Sequence, residues 1–188
     1  AGRWFEPREQ PNYDKKGTAS WYGEAFNRRK TSNGEWFDMN RLTAAHATLP
    51  LPSYVKVTNL KNGREVVVRV NDRGPFVDTR VMDLSKAAAV ALGYKEQGMT
   101  NVRLQYIGPA PLNDKGGAHL MAMNEELEQG TPLRRMIAQA ERHKGRGYEA
   151  NVMVAEAKPR KKLIAAPAPA PQPEQVETVA YTPPAPAA

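Results

Sequence analysis

The chain of 188 residues contains no cysteine and only three histidines. Without thiols it cannot form a disulfide framework, a thiolate metal site or a cysteine nucleophile. His46 lies far along the chain from His119 and His143, so a three-histidine metal site is not expected either. We therefore expect the protein to act without a metal or another cofactor.

Long apolar runs are also missing, and no stretch of about 18 apolar residues predicts a membrane span. No signal peptide is present within the sequence, but Ala1 is not a methionine, so we expect a processed or truncated product and export stays open. Helix-turn-helix, zinc-finger and RNP-type signatures are absent, which argues against nucleic acid as a partner.

The positive charge is concentrated in the first part of the chain. Residues 1–110 hold 17 Lys and Arg against 11 Asp and Glu, so nearly all of the net charge of +7 lies there. A basic surface favours an anionic polymer, such as DNA, anionic lipid or a carboxylate-bearing glycan. Charge alone is equally typical of a surface that keeps the protein in solution.

Composition divides the chain into four parts. We predict a polar N-terminal arm over residues 1–16, a folded domain over 17–109 and a partly helical extension over 110–158. Residues 159–188 are rich in Ala and Pro and poor in large apolar side chains. Such a segment buries too little apolar surface to offset the entropy of ordering, so we predict a disordered linker.

Short strands dominate the predicted domain. Period-two alternation or apolar runs indicate strands at 17–23, 41–47, 54–58, 65–70 and 102–107, with an Asn62-Gly63 hairpin turn before the fourth. An Ala-rich helix is predicted from Ser85 to Leu92, ending at Gly93. This pattern predicts a mainly β fold, a small closed barrel with one short internal helix.

The extension carries helical signals. Apolar residues at Leu133, Met136, Ile137 and Ala140 follow a spacing of three and four, after a Thr131-Pro132 start. A shorter helix is predicted over 120–127. We expect both helices to pack on the barrel, because a short amphipathic helix is marginal alone in water.

Four polar residues fall into two tight groups: Glu35, Asp38 and His46, and then Asp72 at the end of an apolar strand. Carboxylic acids that protonate a leaving oxygen are the chemistry of glycosidic bond cleavage. Burial of Glu35 or Asp38 beside an aromatic would raise the pKa of one of them.

Each of these residues also has an ordinary structural interpretation. On spacing alone Glu35 and Asp38 are more typical of a solvated turn, and a lone histidine such as His46 is more often a hydrogen-bonded structural residue. Asp72 and Arg73 could form a pair that pins a turn. Asp83 precedes Ser85 at the start of the predicted helix, and we assign it to helix capping.

Aromatic side chains near these groups are suited to stacking on sugar rings. Trp21 and Tyr22 are neighbours on a strand, so one is expected in the core and the other in a groove. Trp36 and Phe37 are also neighbours, so one of them is expected in the core and the other in a groove. We expect Tyr22, Trp21 and Trp36 to contact a glycan, together with Asn33 and Arg73.

An ordered set of motifs resembles the rare lipoprotein A family. The matching segments are Gly17-x-Ala-Ser-Trp-Tyr-Gly23, Thr31-x-Asn-Gly-Glu35, Leu42-Thr-Ala-Ala-His46, Leu49-Pro50, Val57-Thr-Asn59, Asn62-Gly63, Val68-x-Val-Asn-Asp-Arg-Gly-Pro-Phe76, Arg80 and Asp83-Leu-Ser85. The resemblance covers about residues 17–108. It implies a double-psi β-barrel related to expansins.

The resemblance also implies an activity. Bacterial members of that family are septal lytic transglycosylases that cleave peptidoglycan, with a preference for strands stripped of stem peptides. It implies that Glu35, Asp38 and His46 line the active groove. It also implies that Asp72 corresponds to the acid found on the equivalent strand of expansin-like barrels. It further implies a periplasmic protein of the cell envelope, anchored as an outer-membrane lipoprotein and acting in cell division.

The chain departs from the family pattern at several points. Asn27-Arg28 stands where many relatives have His-Gly, and Trp36-Phe37 stands where a polar residue and tyrosine are common. The C-terminal glycan-binding SPOR domain of many relatives is not visible, and the lipid-bearing cysteine would lie before Ala1. We therefore expect the Pro/Ala linker to lead to a further module.

The sequence thus predicts a lytic transglycosylase with Asp72 as acid and base, and Asp38 as the next candidate. Glu35, Asp38 and His46 would tune the pKa of Asp72 and hold the sugar. Two alternatives remain at this point. One is a non-catalytic, expansin-like module that binds peptidoglycan, and the other is a divisome scaffold that recruits envelope proteins through residues 110–188.

Overall fold

A computed structural model describes residues 5–23, 26–77, 79–113 and 117–144, with only the backbone described for the last two. The predicted Pro/Ala linker and the end of the predicted extension lie outside these residues. The described elements are β1 (Asp14–Trp21), β2 (Thr43–Ala45), β3 (Ser53–Asn59), β4 (Glu65–Asp72), β5 (Arg80–Leu84), α1 (Lys86–Ala91), a 3₁₀ turn (Lys95–Gln97), β6 (Met99–Pro109), α2 (Ala118–Glu128) and α3 (Leu133–Lys144).

The six strands close into a barrel in the order β1-β5-β2-β4-β3-β6. β1 pairs with β5 and β2 pairs with β4 in parallel, while the remaining neighbours are antiparallel. Parallel neighbours require crossover connections rather than hairpins. The fold is mainly β and is a double-psi β-barrel, as predicted.

Alternation along the strands explains the core. Val55 and Val57 of β3 and Leu104 of β6 are fully buried, with polar residues between them facing outward. The run Val66 to Val68 in β4 is buried throughout, which confirms the prediction of burial on both faces. Closure of the sheet removes its free edges and encloses these side chains.

The predicted turn and helix signals are confirmed. Gly63 adopts φ 74° in the turn between β3 and β4. Ser85 caps α1, since its hydroxyl accepts a hydrogen bond from the Ala88 amide at 3.2 Å. Gly93 follows the helix with φ 72°, the left-handed conformation that glycine adopts without a steric penalty.

Strand boundaries were less well predicted. β5 (Arg80–Leu84) was missed, because Asp83 had been assigned to the cap of the next helix. The strand predicted over 41–47 shrinks to Thr43–Ala45, and β1 begins at Asp14, inside the predicted arm. Short strands with small or charged residues carry too weak a period-two signal to be read alone.

The extension packs on the barrel as two helices, as expected. α3 approaches β6 so closely that a Cβ on Gly108 would lie 2.7 Å from the Ala140 Cβ. Asn124 of α2 accepts from the Val67 amide at 2.8 Å and donates to the Val67 carbonyl at 3.0 Å. Within the described part of the chain, neither this pair nor α1 combines the length and apolar character of a membrane-spanning helix.

Candidate active site

The loop between β1 and β2 folds into a small hairpin, which we call the 28–37 hairpin. The Arg28 amide donates to the Phe37 carbonyl at 2.9 Å, and the Thr31 amide donates to the Glu35 carbonyl at 2.8 Å. Side chains alternate along its second arm. Phe37 is buried and Glu35 half-buried, whereas Trp36 between them is 67% exposed.

Arg28, one of the departures from the family motif, has a backbone conformation that is unusual for a residue with a side chain. Its φ is 63°, in the left-handed region that glycine occupies at little cost and other residues rarely adopt. The backbone at this position therefore keeps a glycine-like conformation although the side chain is an arginine.

Glu35 is held by a buried polar network on β4. Its carboxylate accepts from the Arg69 guanidinium at 2.6 Å and from the Asn71 amide at 2.9 Å. The Asn33 side chain donates to it at 2.8 Å from within the same turn. The sequence analysis missed Arg69 and Asn71, although their alternate positions in an apolar strand are the signal that could have identified them.

The raised pKa that burial would give to one of Glu35 and Asp38 does not fall on Glu35. Partial burial by itself would raise the pKa of Glu35, but the hydrogen bonds from Arg69 and Asn71 and the charge of Arg69 outweigh it. The pKa of Glu35 is consequently lowered, and the group is a carboxylate near neutral pH. Glu35 acts as an anchor for the 28–37 hairpin.

Asp72 lies at the end of β4, directly below this hairpin. Its Oδ1 accepts from the Ser32 amide at 2.9 Å, from the Ser32 hydroxyl at 2.6 Å and from the Arg73 amide at 2.8 Å. Among the residues that the structure describes, every hydrogen bond to this side chain ends on Oδ1. The Oδ2 atom is thereby left available for a ligand.

Asp83 is the second carboxylate at this level of the barrel. Ala45 of β2 is the register partner of Asp72 on one side and of Asp83 on the other. Two interstrand spacings place their Cα atoms about 10 Å apart, with Ala45 on the strand between them. Helix capping was thus the wrong assignment for Asp83, because Ser85 performs it.

The two aspartates differ in the partners of their carboxylate oxygens. Asp83 Oδ1 accepts from the Ser20 hydroxyl at 2.6 Å and forms an ion pair with Arg80 at 3.1 Å. Its Oδ2 lies 3.5 Å from the same guanidinium. Asp83 therefore has a cationic partner on both oxygens, whereas Asp72 keeps one oxygen without a described partner.

Tyr22 lies within electrostatic range of both carboxylates. Burial, followed by the charge of Asp72 and then that of Asp83, raises the pKa of its hydroxyl. Its ring packs on that of Phe37 with centroids 4.5 Å apart. Tyr22 thus packs against Phe37 of the 28–37 hairpin. Its hydroxyl is neutral and lies near Asp72 and Asp83.

His46 is buried rather than open to a groove, with only 3% of its surface exposed. Its Nδ1 accepts from the amides of Thr48 and Leu49 at 3.1 and 3.0 Å, and its Nε2 lies 2.8 Å from the Tyr13 hydroxyl. These contacts fit the structural interpretation of a lone histidine, in which the ring fixes the turn after β2.

Protonation of His46 is expected to destabilise the fold. Burial, followed by the charges of Arg73 and Lys15, lowers the pKa of His46 to about 4. Between about pH 6.5 and pH 4 the unfolded chain binds a proton that the folded chain does not, so stability falls as the pH is lowered. At 1.36 kcal/mol per pKa unit, we expect a loss of about 3 kcal/mol in unfolding free energy, measured by urea denaturation.

The control is His46→Asn, whose side-chain oxygen can accept from the same two amides but does not titrate in this range. Between pH 7.5 and pH 4, the unfolding free energy of this variant should fall by about 3 kcal/mol less than that of the wild-type protein. Equal pH dependence of the two proteins would contradict the assignment.

The remaining predicted site residues are engaged mainly in local structure. The Asp38 carboxylate accepts from the Asn40 amide at 2.9 Å, as in a turn. The Arg73 guanidinium donates to the carbonyls of Leu49 at 2.6 Å and His46 at 3.2 Å. Arg73 therefore pins the turn after β2, and its side chain is not the hydrogen-bonded partner of Asp72.

Trp36 and Phe76 are the most exposed aromatic side chains among the described residues. Trp36 is exposed, with the Lys30 ammonium 5.6 Å from its ring centroid, and Phe76, which the sequence analysis did not single out, is 63% exposed just beyond Asp72. Phe37 is only 3% exposed and cannot stack on a sugar. Trp21 packs against the core and donates to the Lys95 carbonyl at 3.0 Å.

Sequence comparisons match this barrel to known proteins. The family model described as "Lytic transglycolase" matches residues 14–104. The endolytic peptidoglycan transglycosylase RlpA of Neisseria meningitidis (strain Z2491) is 56% identical over 110 residues, which are 58% of this chain and 46% of that protein. The protein of the same name from Pseudomonas aeruginosa (strain UCBPP-PA14) is 60% identical over 97 residues, 52% of this chain and 28% of that protein. The chain thus spans less than half the length of these relatives.

Solved structures show a more distant likeness. The apo expansin of Clavibacter michiganensis is 23% identical with a TM-score of 0.43, and covers 53% of each chain. The Streptomyces papain inhibitor is 21% identical with a TM-score of 0.44, over 53% of this chain and 98% of that one. A likeness of this size supports no conclusion about function.

The sequence relatives are a stronger basis for assigning a family. More than half of their aligned residues are identical, over 110 and 97 residues. The family model spans residues 14–104, which include the 28–37 hairpin and the end of β4. The barrel of residues 14–104 is therefore a domain of the rare lipoprotein A family.

Proposed function

We propose that the protein is an endolytic lytic transglycosylase of peptidoglycan, cleaving the β-1,4 bond between N-acetylmuramic acid and N-acetylglucosamine. The observation that carries the proposal is the pair Asp72 and Asp83, which flank Ala45 at one level of the barrel. The names of the relatives, which are endolytic peptidoglycan transglycosylases, support the same substrate.

Asp72 carries the proton in this proposal. Its carboxyl group protonates the oxygen O4 of the leaving N-acetylglucosamine as the bond from C1 to O4 breaks. The resulting carboxylate then takes the proton from O6 of the muramic acid while O6 bonds to C1. The net change moves one proton from O6 to O4 and closes a 1,6-anhydro ring, so water is not consumed.

Asp83 stabilises the positive charge that develops on the sugar. Its ion pair with Arg80 keeps a negative group fixed at the same level as Asp72, across the small Ala45 side chain. A charge held in place before the reaction costs no reorganisation during it. Among the described residues no group donates to Asp72 Oδ2, which favours Asp72, rather than Asp83, as the proton carrier.

The exposed aromatic rings extend this site along a glycan. Trp36 and Phe76 are exposed enough for the apolar faces of sugar rings to stack on them, beside Lys30 over the Trp36 ring and Phe5 against the Phe76 ring. Lys30 beside Trp36 offers a cation to a carboxylate-bearing glycan, such as a strand stripped of stem peptides. Glu35 anchors the 28–37 hairpin, which carries Lys30 and Trp36. Asp38 is the next candidate for the acid.

The proposed setting is the bacterial cell envelope. We place the protein in the periplasm at the division septum, joined to the outer membrane by a lipid anchor outside this chain. Residues 110–188 would contact divisome or envelope proteins. These assignments rest on the family to which the barrel belongs and on no geometry of the site.

The products of digestion test the proposed function. Purified sacculi incubated with the protein should release soluble fragments that end in 1,6-anhydro-muramic acid, identified by mass spectrometry. Fragments with reducing muramic acid ends would indicate hydrolysis instead. Bound but uncut glycan would contradict the enzyme and favour a non-catalytic, expansin-like binding module.

A further inference from the structure

Ser32 connects the 28–37 hairpin to the end of β4. It lies in the exposed turn of the hairpin, yet its amide and its hydroxyl both donate to Asp72 Oδ1, at 2.9 and 2.6 Å. The two residues are 40 positions apart in the chain. No motif in the sequence joins them, and Ser32 was not among the predicted site residues.

The Ser32 hydroxyl is also an acceptor. The Arg73 amide lies 3.1 Å from Ser32 Oγ and 2.8 Å from Asp72 Oδ1, so it can donate to both oxygens. A serine hydroxyl has one proton to donate and two lone pairs to accept with, which allows this arrangement. Ser32, Asp72 and the Arg73 amide thereby form a small closed network.

The network determines which carboxyl oxygen is free. Three donors converge on Oδ1 and occupy the directions in which it could bind a proton. A proton on Asp72 is therefore directed to Oδ2, the oxygen that has no hydrogen bond from a described residue. This is the geometry that an acid needs when it must present its proton to a substrate.

The hairpin that presents Ser32 is itself fixed from the opposite side. Glu35, three positions along, is anchored to Arg69 at 2.6 Å and to Asn71 at 2.9 Å, and the pKa of Glu35 is lowered by these contacts. The backbone bond from Thr31 to Glu35 ties the turn to that anchor. Ser32 thus donates from a held turn rather than from a free loop.

We propose that Ser32 is a positioning residue for Asp72, which fixes Oδ1 and leaves Oδ2 to transfer the proton. The proposal rests on the proposed transglycosylase function. It assigns Ser32 no contact with the glycan, so its removal should slow the chemical step and leave substrate binding unchanged.

The test compares kinetic constants for soluble glycan strands. Ser32→Ala removes the hydroxyl but keeps the backbone donor, and we expect kcat to fall about tenfold while KM stays within about twofold. Ser32→Thr keeps a hydroxyl at the same position and should restore most of kcat. Thr58→Val is the matched control, because the Thr58 hydroxyl donates to Glu65 at 2.7 Å on the surface, well away from Asp72.

The outcomes separate this role from others. An unchanged kcat in Ser32→Ala, or a Thr variant as slow as the Ala variant with the same melting temperature, would overturn the proposal. A raised KM at constant kcat would assign Ser32 to substrate binding and would also overturn it. A wild-type protein that releases no anhydro product would remove the proposed function itself, and the role of Ser32 with it.

Discussion

Replacement of Asp72 by asparagine is expected to lower the release of anhydro products by about 10²–10⁴-fold, the usual contribution of acid–base catalysis. The amide oxygen of asparagine can accept from Ser32 and Arg73 as Oδ1 does now. The amide nitrogen in place of Oδ2 has no acidic proton to transfer. We therefore expect an unchanged melting temperature, measured by circular dichroism, together with the loss of activity.

Asp83→Asn and Asp38→Asn are the comparison variants for this result. Asp83→Asn should lower the rate less than Asp72→Asn, because the sugar cation loses a stabilising charge but the proton carrier remains. Asp38→Asn should leave most of the activity, since that side chain caps a turn. A large loss in either variant beside near-normal turnover by Asp72→Asn would move the acid to that residue.

Replacement of Glu35 by alanine is expected to reduce the unfolding free energy by about 2 kcal/mol. The Arg69 side chain is only 7% exposed and would lose its counterion while remaining in the barrel wall. Removing one partner of a buried ion pair usually costs about 3–5 kcal/mol, and the partial exposure of Glu35 lowers the expected value. Urea denaturation at pH 7 measures the change.

The double variant Glu35→Ala with Arg69→Met should recover part of this loss, because it leaves no unpaired charge. Glu65→Ala removes the partner of Lys56, a pair 2.8 Å apart near the surface, and should cost less than about 1 kcal/mol. If Glu35→Ala costs no more than Glu65→Ala, Glu35 is not the anchor of the hairpin.

Much of the barrel follows from local sequence. Alternation in β3 and β6, the buried valines of β4 and the Asn62-Gly63 turn act over a few neighbouring residues, as do the Ser85 cap and Gly93. Their physical basis is the period of the strand and the conformational preference of single residues. The apolar stripe of α3 predicted its helix and its packing for the same reason.

The ordered motifs also predicted the region of the site. Glu35 and Asp72 were selected as neighbours in function, and the structure joins their segments through the hairpin turn and β4. The sequence could not determine the ionisation of Glu35, because that depends on Arg69 and Asn71 across the barrel wall. Burial beside an aromatic would have raised the pKa of either Glu35 or Asp38, and the pKa of Glu35 is lowered.

Only the tertiary structure placed Asp83 opposite Ala45, buried His46 beside Tyr13 and brought Ser32 to Asp72. Each of these contacts joins segments that meet because the strands cross in a double-psi barrel, in an order that differs from their order in the chain. Local preference determines which residues form a strand or a turn. Strand register and crossover determine which carboxylate oxygen is held and which is left free, and a single sequence contains no local signal for either.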